Sequence, residues 1–366
     1  MGGGGGGMAV EAYALLVEKA RTTRCLTENE VARLITPVDD VERQLLWAAA
    51  DRARAENIGD AVHLRGLIEF SNYCARNCLY CGLRRDNRKL RRYRMDRDQI
   101  VETAVRAASL GYGTVVLQSG EDPQYTGRIL ADIVRDIKKR TESGLAVTLS
   151  VGEREEADYA MWREVGADRY LMRHETADPE LYAELHPGQT LATRLECLRA
   201  LRELGYQVGA GNMVGLPGQT AETLARDLLL LRRLDVEMAG IGPFIPHPDT
   251  PLADCRGGGI DETVSVVAAA RLLLPLAHLP ATTAVGTIHP QGRQMALRAG
   301  ANVVMPNVTP ADRRPLYQIY PNKICVNEKA EDCRGCIARI IQALGRRVAA
   351  GPGHSSKPEF AGLAAR

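Results

Sequence analysis

From His63 onward the chain alternates short apolar runs with amphipathic segments, and no other feature limits the fold as much. Strand-like runs begin near Leu64, Thr114, Ala146, Arg169, Gln207, Met238, Thr282 and Asn302, eight in all. Helical segments separate them. Across residues 96–110, Ile100, Ala104, Ala107 and Ala108 share one face, with Asp96 as N-cap and Gln99 at N3. Parallel strands need helical crossovers, so eight βα units predict an α/β fold, a complete (β/α)8 TIM-type barrel. Residues 8–62 read as an N-terminal helical segment, with a capping box at Thr27-Glu-Asn-Glu30 and a helix over 40–56 through Leu45, Leu46 and Trp47. The expected division is a flexible glycine tail at 1–7, helices at 8–62 and the barrel at 63–310. A cysteine-bearing helical segment at 311–350 and a loose tail at 351–366 follow.

At 366 residues with 45% apolar content, the chain has ample core for a barrel of this size. A net charge of +2 leaves no electrostatic footprint for nucleic acid or an anionic membrane surface. No apolar run of about 18 residues is present, and the N-terminus lacks the features of a secretory signal. Six of the nine cysteines fall in two tight groups, Cys74/Cys78/Cys81 and Cys325/Cys333/Cys336. A secreted disulfide framework would spread them more evenly. The grouping points to metal in a reducing, anaerobic cytoplasm. Cys25, Cys197 and Cys255 stand alone and read as small buried hydrophobes.

Active sites of such barrels gather at the C-terminal ends of the strands. Here those ends carry Glu69, Gln118 to Asp122, Ser150 and Glu153, Arg173-His-Glu175, Asn212-Met213, Pro243 to His247, Thr283 and Met305-Pro-Asn307. Directly after the first strand comes Cys74-Ala-Arg-Asn-Cys78-Leu-Tyr-Cys81, a CxxxCxxC loop. Three thiolates on one short loop can hold three irons of a [4Fe–4S] cluster and leave the fourth open for chemistry. The alternative is a zinc site completed by a distant His or Cys, although zinc sites usually use paired CxxC units.

The second group, Cys325-x7-Cys333-x2-Cys336, follows the eighth strand and precedes a helix marked by Ile337, Ile340, Ile341 and Leu344. It can bind a second iron–sulfur cluster, outside the barrel and away from the catalytic centre; zinc or unliganded thiols are the alternatives. Gly209-Ala-Gly211-Asn-Met-Val-Gly215 has the wrong spacing for a dinucleotide fingerprint and reads as close backbone approach or a turn. Glu121 and Asp122 are adjacent on extended backbone and point apart. Pro246-His247-Pro248 reads as a structural loop histidine.

The CxxxCxxC loop alone resembles the radical S-adenosylmethionine (SAM) superfamily. A wider set of blocks resembles the HydE-type [FeFe]-hydrogenase maturases. They are Ile68-Glu-Phe-Ser-Asn-Tyr-Cys74, Cys81-Gly-Leu-Arg-Arg-Asp-Asn87, Arg91-Arg-Tyr-Arg-Met95, Leu117-Gln-Ser-Gly-Glu-Asp122 and Arg173-His-Glu-Thr176. Further on are residues 211–220, 240–250, 280–283 and 302–307. The resemblance implies a complete barrel with a [4Fe–4S] cluster and SAM at its top. It also implies a role in building the hydrogenase's organometallic iron subcluster, on an Fe(CO)2(CN)cysteine species delivered by a partner maturase. An electron donor such as flavodoxin or ferredoxin follows from the same chemistry.

By position, the resemblance makes Cys74, Cys78 and Cys81 the cluster ligands. It sets Ser119, Gly120 and Glu121 at the SAM amino group, Arg194 at its carboxylate, and Thr148, Ser150 and Glu175 at its methionyl and ribose groups. Tyr80 backs the adenine. Arg173, Thr282, Thr283, Met305, Tyr317 and Tyr320 become candidates for an anionic small substrate, and Cys325, Cys333 and Cys336 for a second cluster that the family can dispense with. The alternative function is that of biotin synthase or methylornithine synthase, acting on a small organic substrate. Arg84-Arg-Asp-Asn87, Pro246-His-Pro-Asp-Thr250 and the C-terminal cysteines favour the maturase.

Overall fold

In the computed structural model, which describes residues 4–364, seven of the eight strand candidates join one parallel sheet. Ten strands form: β1 (Ala61–Ser71), β2 (Thr114–Ser119), β3 (Ala146–Ser150), β4 (Arg169–Leu171), β5 (Gln207–Ala210), β6 (Met213–Val214), β7 (Met238–Ala239), β8 (Gly242–Pro243), β9 (Val303–Val304) and β10 (Arg347–Val348). Seven lie on one path, β10–β1–β2–β3–β4–β5–β7, a partial barrel; β9 also pairs with β1, and β6 pairs with β8. The strands are buried on both faces, as parallel strands under covering helices must be.

Eight regular strands were expected, and the one near Thr282 does not form. Its place is taken by single bridges, Met238↔His278 and Pro280↔Val303. Pro280 has no N–H to continue a ladder, and Thr282 instead caps a helix, its side chain accepting from Val285 N.

Helices α1 (Gly4–Thr22), α2 (Glu28–Leu34) and α3 (Asp40–Ile58) precede the sheet. Both expected capping boxes form, Thr27 with Glu30 on α2 and Asp96 with Gln99 on α4 (Arg97–Ser109). The remaining crossover helices are α5 (Gly127–Arg140), α6 (Glu156–Glu164), α7 (Pro179–Leu185), α8 (Leu191–Glu203), α9 (Ala221–Arg233) and α10 (Ile260–Leu273). After them come α11 (Thr283–Ile288), α12 (Gly292–Arg298), α13 (Ala330–Ala343) and α14 (Ala361–Ala364). α3 packs on α10, and α2 on α9.

Three expectations fail. The glycine run is not a loose tail, since α1 begins at Gly4; residues 1–3 lie outside the described residues. Cys25 is exposed, whereas Cys197 and Cys255 are partly buried. The C-terminal stretch is not loose either, because it seals the N-terminal end of the sheet. Pro352 O accepts from Thr114 Oγ1 at 2.7 Å and Arg169 Nη2 at 2.8 Å, and Ser355 N donates to Gln207 Oε1 at 2.8 Å. Lys357 Nζ reaches Glu237 Oε1 at 2.8 Å, and Ser355 and Phe360 are buried. Backbone carbonyls at this end meet unpaired polar side chains of the barrel floor, which composition alone cannot show.

Candidate active site

The cysteine loop leaves β1 and lies over the end of β2. Gly120 permits this: a Cβ there would sit 2.3 Å from Tyr73 O and 2.7 Å from Cys74 Cβ. Ala75 N donates to Glu121 O at 2.8 Å, fixing the loop to the β2 end. Burial pushes all three thiols up, with Cys78 reaching about 12; the Cys74 sulfur adds to the effect on Cys78, and Cys78 and Cys74 add to it on Cys81. Such thiols are inert as free nucleophiles and become ligands only when a metal displaces their protons. The three sulfurs do not all lie within 4.8 Å of one another, as Cys325, Glu328 and Cys333 do. A single tetrahedral zinc would hold its sulfurs about 3.8 Å apart. Three half-buried thiols on one short loop are the donor set that a cluster with one open iron needs.

Beside the loop runs a four-membered ion network that the sequence did not disclose. Arg76, from inside the CxxxCxxC motif, binds Glu121 Oε2, and its Nη2 lies 3.3 Å from Glu153 Oε2. Glu153 Oε1 accepts from Arg194 Nε at 2.6 Å, and Glu153 N donates to Glu121 Oε1 at 3.0 Å. Arg194 Nη1 donates to Arg173 O at 2.8 Å. Burial alone would lower the Arg194 guanidinium's pKa, but Tyr182 and Glu153 more than offset it and raise it further. Glu121 also needs Gly152, where a Cβ would meet its side chain at 2.0 Å. Asp122 turns the other way, to Arg94 at 2.6 Å and Ser71 at 2.6 Å, so the adjacent carboxylates do point apart.

The far side of the loop is held by the C-terminal end of α7. Leu79 N donates to Leu185 O at 2.9 Å, and Tyr80 OH lies 2.8 Å from His186 Nε2. His186 Nδ1 lies 2.8 Å from the Tyr182 carbonyl, so it carries the proton and Nε2 accepts from Tyr80. Burial lowers His186 to about 4, which keeps it neutral in this role. His247 packs against Gly82 from the opposite side, a structural position.

On β3 and just beyond β4 two buried polar atoms make no hydrogen bond to protein, Thr148 Oγ1 and Glu175 Oε2. Glu175 has φ +65°, a left-handed conformation that costs a non-glycine residue about 1–3 kcal/mol and is found disproportionately at functional sites. Ser150 ends β3, half-buried, and Ser119 Oγ donates to Gly120 O at 2.7 Å. Arg173 Nε donates to Gly240 O at 2.9 Å, and its Nη1 lies 3.5 Å from Glu175 Oε2. The glycine-rich 209–215 stretch serves backbone approach: a Cβ on Gly211 would meet Gly240 O at 2.1 Å.

Among the remaining interior residues, Tyr317 is fully buried, and Thr283 Oγ1 accepts from Arg293 Nη2 at 3.4 Å. Burial raises Tyr317 and Tyr320 well above ordinary phenols. Met305 is half-buried, and no polar contact ties it to the others. Glu69, one of the strand-end residues singled out from the sequence, is a buried carboxylate that pairs with Lys323 and accepts from Asn307 Nδ2 at 2.7 Å. The second cysteine group assembles only in part. Cys325 and Cys333 converge with Glu328, while Cys336 is exposed and outside that group. Cys325 is held low, at about 6, by Cys333 and by Arg293, whose Nη1 lies 3.7 Å from its sulfur.

Residues 68–231 match the radical SAM superfamily. Over 304 residues, 83% of this chain and 86% of the relative, the sequence is 55% identical to the [FeFe] hydrogenase maturase subunit HydE of Thermotoga maritima. It is 29% identical to 3-methylornithine synthase of Methanosarcina acetivorans, over 91% of this chain and 93% of that one. A crystal structure of methylornithine synthase superposes with a TM-score of 0.80 at 27% identity, covering 91% and 97% of the two chains.

Proposed function

Because the chain belongs to the HydE-type [FeFe]-hydrogenase maturases, a family of radical SAM enzymes, we propose that it reductively cleaves SAM and directs the 5′-deoxyadenosyl radical at a small iron-bound cysteine species. The observation that carries this reading is the half-buried three-thiol loop packed on Gly120 beside the Arg76–Glu121–Glu153–Arg194 network. When bound, a [4Fe–4S] cluster on Cys74, Cys78 and Cys81 supplies the one electron that breaks the sulfonium bond.

The chain's own residues bind and orient. Arg194 pairs with the SAM carboxylate, and the Ser119-Gly120-Glu121 segment with its amino group. Thr148 and Glu175, each with a buried oxygen that makes no hydrogen bond to protein, take the methionyl and ribose groups together with Ser150. Tyr80, held by His186, backs the adenine. Arg173, Thr282, Thr283, Met305, Tyr317 and Tyr320 line the path to an anionic substrate, and Arg173 supplies the positive charge. We take the bridges at His278 and Pro280 as closing the sheet into an eight-membered ring around that path. Other maturases deliver the iron species and receive the product, a small flavodoxin or ferredoxin supplies the electron, and the setting is a cytoplasm without oxygen. A second cluster on Cys325, Cys333 and Cys336 belongs to this reading as a peripheral site.

Anaerobic reconstitution followed by reduction in the presence of SAM tests it. The parent should release 5′-deoxyadenosine, and Cys78→Ala should release none while keeping its fold. Normal release from Cys78→Ala would overturn the cluster assignment. Turnover of the iron–cysteine species, set against an amino-acid substrate of the methylornithine synthase type, decides the substrate.

A further inference from the structure

The segment that follows the cysteine loop has the densest charge in the chain. Residues 84–94 hold seven cations and a single acid, Asp86, a net of +6. The whole chain is only +2, so the remaining residues carry −4. Three of the seven cations are paired: Arg85 with Asp86 at 3.3 Å, Lys89 with Asp249 at 2.7 Å and Arg94 with Asp122 at 2.6 Å. Arg92 turns inward and donates to the carbonyls of Leu83 at 2.9 Å, Arg84 at 2.7 Å and Asn87 at 3.2 Å. It thereby fixes the shape of the loop. Arg88 and Arg91 are exposed, and no carboxylate among the described residues lies within 4.0 Å of either.

This surface is fastened to the cysteine loop itself. Arg85 N donates to Arg76 O at 2.8 Å. Asn77 Nδ2 donates to Asp86 Oδ2 at 2.7 Å, and Asp86 N returns a bond to Asn77 Oδ1 at 3.3 Å. Arg76 and Asn77 stand between Cys74 and Cys78, so the cationic face and the thiols share one hydrogen-bonded loop. A fixed cationic face steers partners of opposite charge over about 8 Å at physiological salt and raises their encounter rate.

We propose that the exposed loop 84–91 is the docking site of a small acidic one-electron carrier protein, through which the electron enters. The proposal rests on the SAM-cleavage reading. The step is a bare electron transfer: the carrier's reduced flavin loses one electron and the centre on the cysteine loop gains it, with no bond made or broken. Nucleic acid fits this face less well. Single-strand binding surfaces interleave cations with exposed aromatic rings, and here Tyr93 is buried and Leu90 half-buried.

The test uses reconstituted holoenzyme and two reductants, methyl viologen kept reduced by excess dithionite and a reduced flavodoxin of net negative charge. In the double reversal Arg88→Glu/Arg91→Glu, release of 5′-deoxyadenosine with viologen should stay within about twofold of the parent. Its KM for flavodoxin should rise at least about tenfold and lose its salt dependence. Arg88→Lys/Arg91→Lys should behave like the parent, which separates charge from folding. A flavodoxin KM unchanged by the reversal would overturn the proposal, as would loss of transfer-RNA binding in the reversal with flavodoxin kinetics intact. No 5′-deoxyadenosine from the parent with viologen would instead sink the cleavage reading on which the proposal rests.

Discussion

Arg194 offers the sharpest test of the SAM geometry. Its Nε is given to Glu153 at 2.6 Å and its Nη1 to the Arg173 carbonyl at 2.8 Å, and Nη2 has no acceptor among the described residues. In our reading Nη2 meets the SAM carboxylate. A hydrogen bond to a charged group contributes about 1.5–3 kcal/mol, so Arg194→Ala should weaken SAM binding by about 10- to 150-fold. Arg194→Lys keeps the charge but loses the fork, so it cannot hold Glu153, the Arg173 carbonyl and SAM together, and should recover only part. The fold should suffer less than an isolated buried charge would imply. Glu153 keeps Arg76 at 3.3 Å, and Arg76 is itself 35% exposed. The stability loss should therefore fall below the roughly 3–5 kcal/mol of a stranded buried ion. SAM titrated against the reduced protein and followed by EPR gives the affinities, and thermal unfolding run beside it gives the stabilities. A folded Arg194→Ala that binds SAM like the parent would refute the reasoning and reduce Arg194 to a strut for Glu153.

Changing Cys325, Cys333 and Cys336 together to Ala should lower the iron content and preserve SAM cleavage; a variant that holds the first cluster but no longer cleaves SAM would contradict their peripheral role. Stability should fall with acid. His186 is lowered to about 4 and His63 to about 3 by burial, so below pH 6.5 each must shed its proton to fold. Their contribution is complete above about pH 6.5 and fades as the pH drops toward 4, by roughly 1.4 kcal/mol per pH unit for each histidine. His186→Gln should flatten that slope by one histidine's share in denaturant unfolding between pH 6.5 and 5, and an unchanged slope would place the proton elsewhere.

The regular parts of the fold were legible because they are local. Apolar runs, helix caps and the cysteine loop each declare themselves within a dozen residues. Thr27, Asp96 and the starts of six strands were accessible in this way. What escaped were relations between distant segments. Pro280 breaks the seventh strand into bridges because its effect depends on which neighbour needed its N–H. Pro352 and Ser355 look like tail residues until Arg169 and Gln207, 183 and 148 positions upstream, require their backbone groups. In the site, Glu121 and Arg194 could be singled out by position, but Glu153 could not be assigned as the bridge between Arg76 and Arg194. Carboxylate pairing is invisible without the turn that brings 76, 121, 153 and 194 together.

The same limit hid the partners of Glu69, and with them the way the second cysteine segment is tied down. Glu69 is 1% exposed near the end of β1, and its carboxylate takes the Lys323 ammonium and the Asn307 amide. Lys323 comes from the segment leading to Cys325, and its ammonium lies 5.2 Å from the centre of the Tyr317 ring. A buried pair of this kind adds little net stability when intact, because both ions lost their water. Removing one partner strands the other and costs about 3–5 kcal/mol. Lys323→Met should therefore destabilise the protein by about that amount, while Lys323→Met/Glu69→Gln should recover most of the loss because no naked charge is left. In the single variant Tyr317 loses the ammonium over its ring, so the KM for the iron–cysteine substrate should rise while SAM affinity stays near the parent's. Anaerobic denaturant unfolding of the four proteins in the cycle measures the coupling. If the two single losses simply add, Glu69 and Lys323 are not energetically paired, and the C-terminal segment is held to the barrel by its apolar contacts alone.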